Sequence, residues 1–217
     1  MRRRDCNAAL AASLGLGIWP AIAGAAPEGI APVILVVGDS LSAEYGIARG
    51  SGWVALLQQR LQDEGRALRV VNASVSGDTT AGGRSRLPAL LQQHRPAVVI
   101  LELGGNDALR GLPLAGTRDN LRAMIHASRA AGAQVLLLGM DMPPNYGERF
   151  RAEFRAVYRD LAREENVALV PFFLAGVADG PQAAALFQPD RIHPNERAQP
   201  MLLANVWPQL KRLLPRA

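Results

Sequence analysis

Five consecutive apolar residues, Val33 to Val37, are fenced by Pro32 on one side and by Gly38-Asp39-Ser40 on the other. A run without polar alternation, rich in β-branched residues and closed by turn formers, predicts a strand buried on both faces. Such a strand belongs in a sheet covered by helices, which points to an α/β fold. There the loops leaving the carboxyl ends of the strands form the ligand crevice, so the stretch Val33 to Ser42 delivers a serine to the place where chemistry is done.

The remaining chain alternates in the way that strand requires. Trp53 to Gln62 carries apolar residues at helical spacing and stops at Gly65. Leu68 to Val71 predicts a second strand, Pro88 to Gln93 a helix with its proline in the first turn, and Ala97 to Leu103 a third strand. Thr117 to Ala131 reads as a helix closed by Gly132, and Val135 to Leu138 as the fourth strand. After the loop Met142 to Gly147, Glu148 to Glu165 is the longest clear helix, with Phe150, Phe154, Val157, Tyr158 and Leu161 directed at the sheet. Val167 to Val170 is the fifth strand, Pro171 to Asn195 a long connection, and the last helix begins near Glu196. The expectation is one doubly wound parallel sheet of about five strands in a single domain over 27–217, with no internal repeat and no linker.

The first 26 residues read differently. Arg2-Arg3-Arg4, a short apolar run from Ala8 to Ile18, Pro20 and the small residues Ala23 to Ala26 predict a secretory signal peptide cut near Ala25 or Ala26. The run falls short of the roughly 17 to 25 residues of a spanning helix. Its removal takes away three arginines, one aspartate and Cys6, the chain's one cysteine, lowering the formal net charge from +5 to +3. The exported domain, periplasmic or secreted, therefore relies on its core rather than on disulfides. Lys211 is the single lysine among 24 basic residues, which excludes a Walker A loop and argues against a Schiff-base lysine. With aromatics at 5% and no grouping of them with arginine, nucleic acid is not an expected partner.

Three strand exits break into small polar residues: Asp39-Ser40, Ser76-Gly77-Asp78 and Asn106-Asp107. On one edge of a parallel sheet they converge. Asp190-Arg191-Ile192-His193-Pro194 supplies a carboxylate three residues before a histidine, an offset that lets Asp190 hold one ring nitrogen while the other meets a serine hydroxyl. A serine hydroxyl needs such a base, and acyl transfer also needs donors for its oxyanion. The N–H groups of Ser40 and Gly77 and the amide of Asn106 are the candidates. Asp39, Asp78 and Asp107 are expected as caps or struts around them. His94 and His126 fall at a helix end and on a helix face, away from any such carboxylate.

At these residues the chain resembles the GDSL esterases, or SGNH hydrolases, whose four blocks appear here in order as Gly38 to Ser42, Asn72 to Thr79, Leu103 to Asp107 and Asp190 to Pro194. Within the family it is most similar to the bacterial periplasmic enzymes that combine acyl-CoA thioesterase, lysophospholipase and arylesterase activity, sharing the Leu87 to Leu91 run and the Pro144-Asn145-Tyr146-Gly147 loop. The resemblance implies a flavodoxin-like three-layer sandwich with a five-stranded parallel sheet. It also implies Ser40 as nucleophile, His193 as base, Asp190 as its partner, an oxyanion hole of Ser40, Gly77 and Asn106, and neither metal nor cofactor. Glu44 and Arg191 stand where these relatives usually carry glycine.

The apolar residues after Asn106, namely Ala108, Leu109, Leu112 and Leu114, suggest a loop that lines a site for a single acyl chain, with Leu109, Leu112 and Tyr146 of the proline loop as the candidates for binding it, although the leucines could equally pack beneath their loop. Arg151, Arg155, Arg159 and Arg163 form a basic row on one helix, a candidate for weak contact with an anionic membrane surface or simply a solvated face. The expected protein is a monomeric ester and thioester hydrolase. The alternatives are a carbohydrate O-deacetylase of the same family and a non-catalytic acyl-chain-binding module.

Overall fold

The computed structural model describes residues 31–215; the expected signal peptide over 1–26 lies outside them. Five strands, β1 (Val33–Gly38), β2 (Arg69–Asn72), β3 (Val98–Glu102), β4 (Gln134–Leu138) and β5 (Ala168–Val170), form one sheet in the order β2-β1-β3-β4-β5. Every neighbouring pair is parallel. The strand order reverses between β1 and β3, and ligands of open α/β sheets bind at such a switch point. Ser40 and Asn106 leave the sheet on its two sides.

Helices cover both faces, as the uninterrupted apolar strands demand. Helix α1 (Trp53–Asp63) packs beside the carboxyl-terminal α7 (Gln199–Leu213), while α2 (Thr80–His94), α4 (Leu114–Ala130) and α5 (Glu148–Glu164) lie side by side. Two short helices, α3 (Gly105–Leu109) and α6 (Ala183–Leu186), lie in the loops after β3 and β5. The core runs through Ile34, Leu35, Val36 and Val37 of β1, Val98 to Leu101 of β3, and Leu136 to Leu138 of β4, all buried. Of the apolar stripe expected on α5, Phe154, Val157, Tyr158 and Leu161 are buried and Phe150 packs on their margin.

One helix departs from expectation. Instead of starting at Pro88, α2 begins at Thr80, capped by Thr79, whose hydroxyl accepts the Gly82 N–H at 3.3 Å, and Pro88 lies in its interior. The Gly82-Gly83 pair that reads as a loop in sequence is there for space: a Cβ on Gly83 would lie 2.3 Å from Leu103 Cδ1. A turn of helix pressed this close to the buried Leu103 side chain leaves little room for a Cβ. The last helix likewise starts with a 3-10 turn at Glu196–Ala198 before α7, and α6 lies within the connection expected to be irregular.

Candidate active site

The fold brings two distant segments together. Ser40 follows β1 directly, and His193 lies in the connection before α7, yet Ser40 Oγ and His193 Nε2 are 2.9 Å apart. His193 Nδ1 meets Asp190 Oδ2 at 2.7 Å, and Asp190 Oδ1 accepts the backbone N–H groups of Ile192 and His193 at 2.9 and 3.0 Å. This tight turn is why the three-residue offset works: the carboxylate is fixed by the backbone that carries the histidine. Burial works against the Asp190 charge, but the hydrogen bonds from His193 and the two N–H groups outweigh it and hold the carboxyl down at about 2.

The histidine loop is clamped from both sides. Gln188 N–H donates to the His193 carbonyl at 2.8 Å, and Phe187 and Pro194 form an antiparallel bridge. Three side chains then stitch this region to the serine loop. Gln188 Nε2 donates to the Tyr45 carbonyl at 2.8 Å, Ala48 N–H to Glu196 Oε1 at 2.9 Å, and Trp53 N–H to Gln199 Oε1 at 3.0 Å. The Tyr45 ring rests against the His193 imidazole, with centroids 4.5 Å apart.

Gly77, at φ +78°, occupies the left-handed region that glycine adopts freely. Among the described residues, neither its N–H nor that of Ser40 donates to a protein acceptor. Both remain available to an oxyanion. Asn106 differs: its Nδ2 donates to Asp39 Oδ2 at 3.0 Å and to the Asp78 carbonyl at 2.9 Å, so a substrate oxygen would replace the Asp78 carbonyl as its acceptor. The three aspartates expected as struts act as such. Asp39 also accepts from Leu41 N–H, Asp78 pairs with Arg86 at 2.8 Å, and Asp107 accepts from the N–H and hydroxyl of Thr80 at 2.8 and 2.5 Å.

Sequence reasoning missed the support beneath the serine. Glu102, the last residue of β3, is fully buried; its Oε2 accepts from Asp39 N–H at 3.2 Å and from Ser42 Oγ at 2.7 Å, and Ser42 accepts from Trp53 Nε1 at 3.1 Å. Burial pushes the Glu102 carboxyl well above its ordinary range, reinforced by neighbouring Asp39. Burial likewise pushes Asp39 up to about 6, against the hydrogen bonds from Leu41 and Asn106. The available signal was a lone glutamate closing an otherwise apolar strand.

Leu109, Leu112 and Tyr146 stand exposed, the leucines at 43% and 40%, whereas Ala108 is buried in the core and Leu114 packs against it, so the packing reading holds for those two and not for Leu109 and Leu112. The arginine row of α5 is largely occupied. Arg151 and Arg155 share Asp141 and Glu148, and Arg159 and Arg163 flank Asp160. Among the described residues no group of three or more His, Cys, Asp or Glu side chains is placed to hold a metal ion.

The model of the GDSL-like lipase/acylhydrolase family matches residues 36–199. The chain is 57% identical over 187 residues to Esterase TesA of Pseudomonas aeruginosa, covering 86% of this chain and 92% of that one. It is 45% identical over 184 residues to thioesterase 1/protease 1/lysophospholipase L1 of Escherichia coli, covering 85% and 86%. The crystal structure of TesA superimposes with a TM-score of 0.81 at 56% identity, covering 84% of this chain and 99% of that one. With sheet order, block order and relatives in agreement, the chain belongs to the GDSL-like lipase/acylhydrolase family and is an ester hydrolase.

Proposed function

We propose that the protein is an exported, monomeric hydrolase of single-chain acyl esters and thioesters that works through an acyl-enzyme on Ser40. The observation that carries this reading is the line Ser40 Oγ, His193 Nε2, His193 Nδ1, Asp190 Oδ2, with separations of 2.9 and 2.7 Å, beside two unengaged backbone N–H groups. Ser40 Oγ attacks the acyl carbonyl carbon as its proton passes to His193 Nε2. Asp190 stabilises the imidazolium from the other side. The negative charge on the former carbonyl oxygen is held by the N–H groups of Ser40 and Gly77 and by the Asn106 amide. Collapse expels the alcohol or thiol, which leaves with the proton from Nε2. Water then attacks the acyl-serine, giving its proton to His193, and the carboxylic acid departs as Ser40 regains its own.

Leu109, Leu112 and Tyr146 are the residues for the acyl chain: large, solvent-facing and in the connections that leave the carboxyl ends of β3 and β4. The basic and apolar amino-terminal pattern supports export to the periplasm or beyond. Labelling with a fluorophosphonate probe, adduct mapping by mass spectrometry and assay of p-nitrophenyl esters of increasing chain length test the proposal. The expected result is an adduct on Ser40, lost with activity in Ser40→Ala, and turnover that rises from acetyl to medium chains. No adduct would leave a binding module on the same sheet, and a sharp preference for acetate would favour a deacetylase.

A further inference from the structure

An oxyanion hole made of backbone N–H groups works only as well as that backbone is held. Donors stabilise a developing charge when they are already at hydrogen-bond distance from it, and a misplacement of about 1 Å costs about a hundredfold in rate. Ser40 and Gly77 carry the two unengaged N–H groups, yet they lie on different strand exits, Ser40 after β1 and Gly77 after β2. The segment 73–79 that carries Gly77 is neither helix nor strand. Its backbone reaches β1 through Ala73 N–H, which donates to the Val36 carbonyl at 2.9 Å, and Val75 N–H, which donates to the Gly38 carbonyl at 3.0 Å. Both bonds precede the glycine. After it, the Asp78 N–H turns back to the Val75 carbonyl at 3.0 Å, and side chains provide the remaining holds.

Arg86, in the second turn of α2, holds three groups at once. Its Nε donates to Asp78 Oδ2 at 2.8 Å, one Nη to the Ala73 carbonyl, and the other Nη to the Gly38 carbonyl at 3.2 Å. Ala73 and Asp78 flank Gly77 on either side, and Gly38 is the last residue of β1, two before Ser40. One rigid fork of donors therefore ties both flanks of the glycine to the strand that ends at the serine. The local sequence is fitted to this grip. Thr79 N–H donates to the other Asp78 carboxylate oxygen at 3.0 Å, and a Cβ on Gly82 would overlap that carboxylate. The Arg86 and Asp78 side chains are 24% and 12% exposed, unlike the open surface ion pairs that contribute little. Arg110 also reaches the segment, but from an exposed position and through one bond, to the Gly77 carbonyl at 2.7 Å.

We propose that Arg86 is a positioning residue for ester hydrolysis: acting through Gly38, Ala73 and Asp78, it sets the spacing between the Ser40 and Gly77 N–H groups without touching substrate. The proposal rests on the reading of Ser40 as nucleophile. A residue that merely held the fold together would leave every folded molecule fully active, and this difference can be measured. Arg86→Met removes the fork, while Arg86→Lys keeps a charge beside Asp78 but lacks the planar fork that spans all three acceptors. Competent sites in each full-length protein are counted by end-point labelling with a fluorophosphonate, and turnover of p-nitrophenyl butyrate is expressed per labelled site. Both variants are expected to lower kcat per labelled site about 10- to 100-fold with KM changed by less than about threefold. An alkylboronic acid, whose tetrahedral adduct on Ser40 places an oxygen in the hole, is expected to bind them more weakly by a similar factor. Fewer labelled sites with parental kcat per site would make Arg86 a structural strut and overturn the proposal. Parental kcat per site in Arg86→Lys would show that charge beside Asp78 suffices, and would overturn it as well. A parent that neither labels nor turns over ester would overturn the nucleophile reading and this proposal with it, whereas an active parent matched by Arg86→Met would overturn this proposal alone.

Discussion

The residue that decides most at the site after the serine and histidine is Asn106, because its amide is shared. Its Nδ2 donates to Asp39 Oδ2 at 3.0 Å and to the Asp78 carbonyl at 2.9 Å, so in the mechanism we propose one of these bonds is exchanged for the oxyanion. Loss of one such donor elsewhere costs about 2.7 to 4 kcal/mol of transition-state binding, so Asn106→Ala is expected to lower kcat by roughly 100- to 1,000-fold with a small change in KM. A change below about threefold in steady-state assays would remove Asn106 from the hole. Two side-chain-bearing residues in left-handed backbone also find their account here. Glu44 and Arg191 sit at φ +58° and +57°, a left-handed conformation that costs a side-chain-bearing residue about 1 to 2 kcal/mol. Glu44 offsets that cost by accepting the N–H groups of Gly50 and Gly52, each at 2.9 Å, which ties down the loop carrying Tyr45. Arg191 keeps the turn in which Asp190 reaches back to His193.

At the scale of elements, the site depends on cross-links between segments far apart in sequence. Helix α1 has glycine at its N-cap and no local side chain to receive its first donors; Gln199, at the start of α7 and 2% exposed, accepts Trp53 N–H instead. One residue therefore caps one helix from another and pins the serine loop to the histidine segment. Gln199→Met keeps the volume and removes the acceptor, stranding a buried N–H at an expected cost of about 1 to 3 kcal/mol, read as a lower urea midpoint at unchanged slope. An unchanged midpoint would show that the cap contributes nothing. Helix α2 makes a related point. Its first two turns are invisible to periodicity because Gly82 and Gly83 are selected by their closeness to Asp78 and Leu103, not by helix propensity.

For the molecule as a whole, the buried carboxyl pair beneath the serine sets a pH dependence of stability. Asp39 is held at about 6 when folded, above its ordinary value of 3.8. A carboxyl raised by folding contributes stability that is fully present below its unfolded pKa and is lost as pH rises through the folded one. Relative to Asp39→Asn, the parent chain is expected to lose about 3 kcal/mol of unfolding free energy between about pH 4 and about pH 6, and little more above that. Urea melts across this range check it, and parallel curves for the two proteins would show that Asp39 does not titrate there. Asp190 works in the opposite sense: its lowered pKa adds stability as pH climbs from about 2 toward the unfolded value, so the two effects occupy separate windows.

What the sequence determined by itself was whatever depends on local pattern. The apolar run of β1, the alternation of strands and helices, and the polar residues at the strand ends are consequences of burial and backbone geometry over a few residues, and they suffice for a parallel sheet with Ser40, Gly77 and Asn106 at one edge. Asp190 and His193 were legible for the same reason, their turn being three residues long. The tertiary structure alone decided what rests on packing between distant segments: the reach of α2 past its glycines, Glu102 buried under Asp39 and Ser42, the Gln188, Glu196 and Gln199 stitches, and the pairing that neutralises the α5 arginines. A hydrogen bond such as that from Trp53 to Gln199 joins residues 146 apart, and no window of sequence contains both ends.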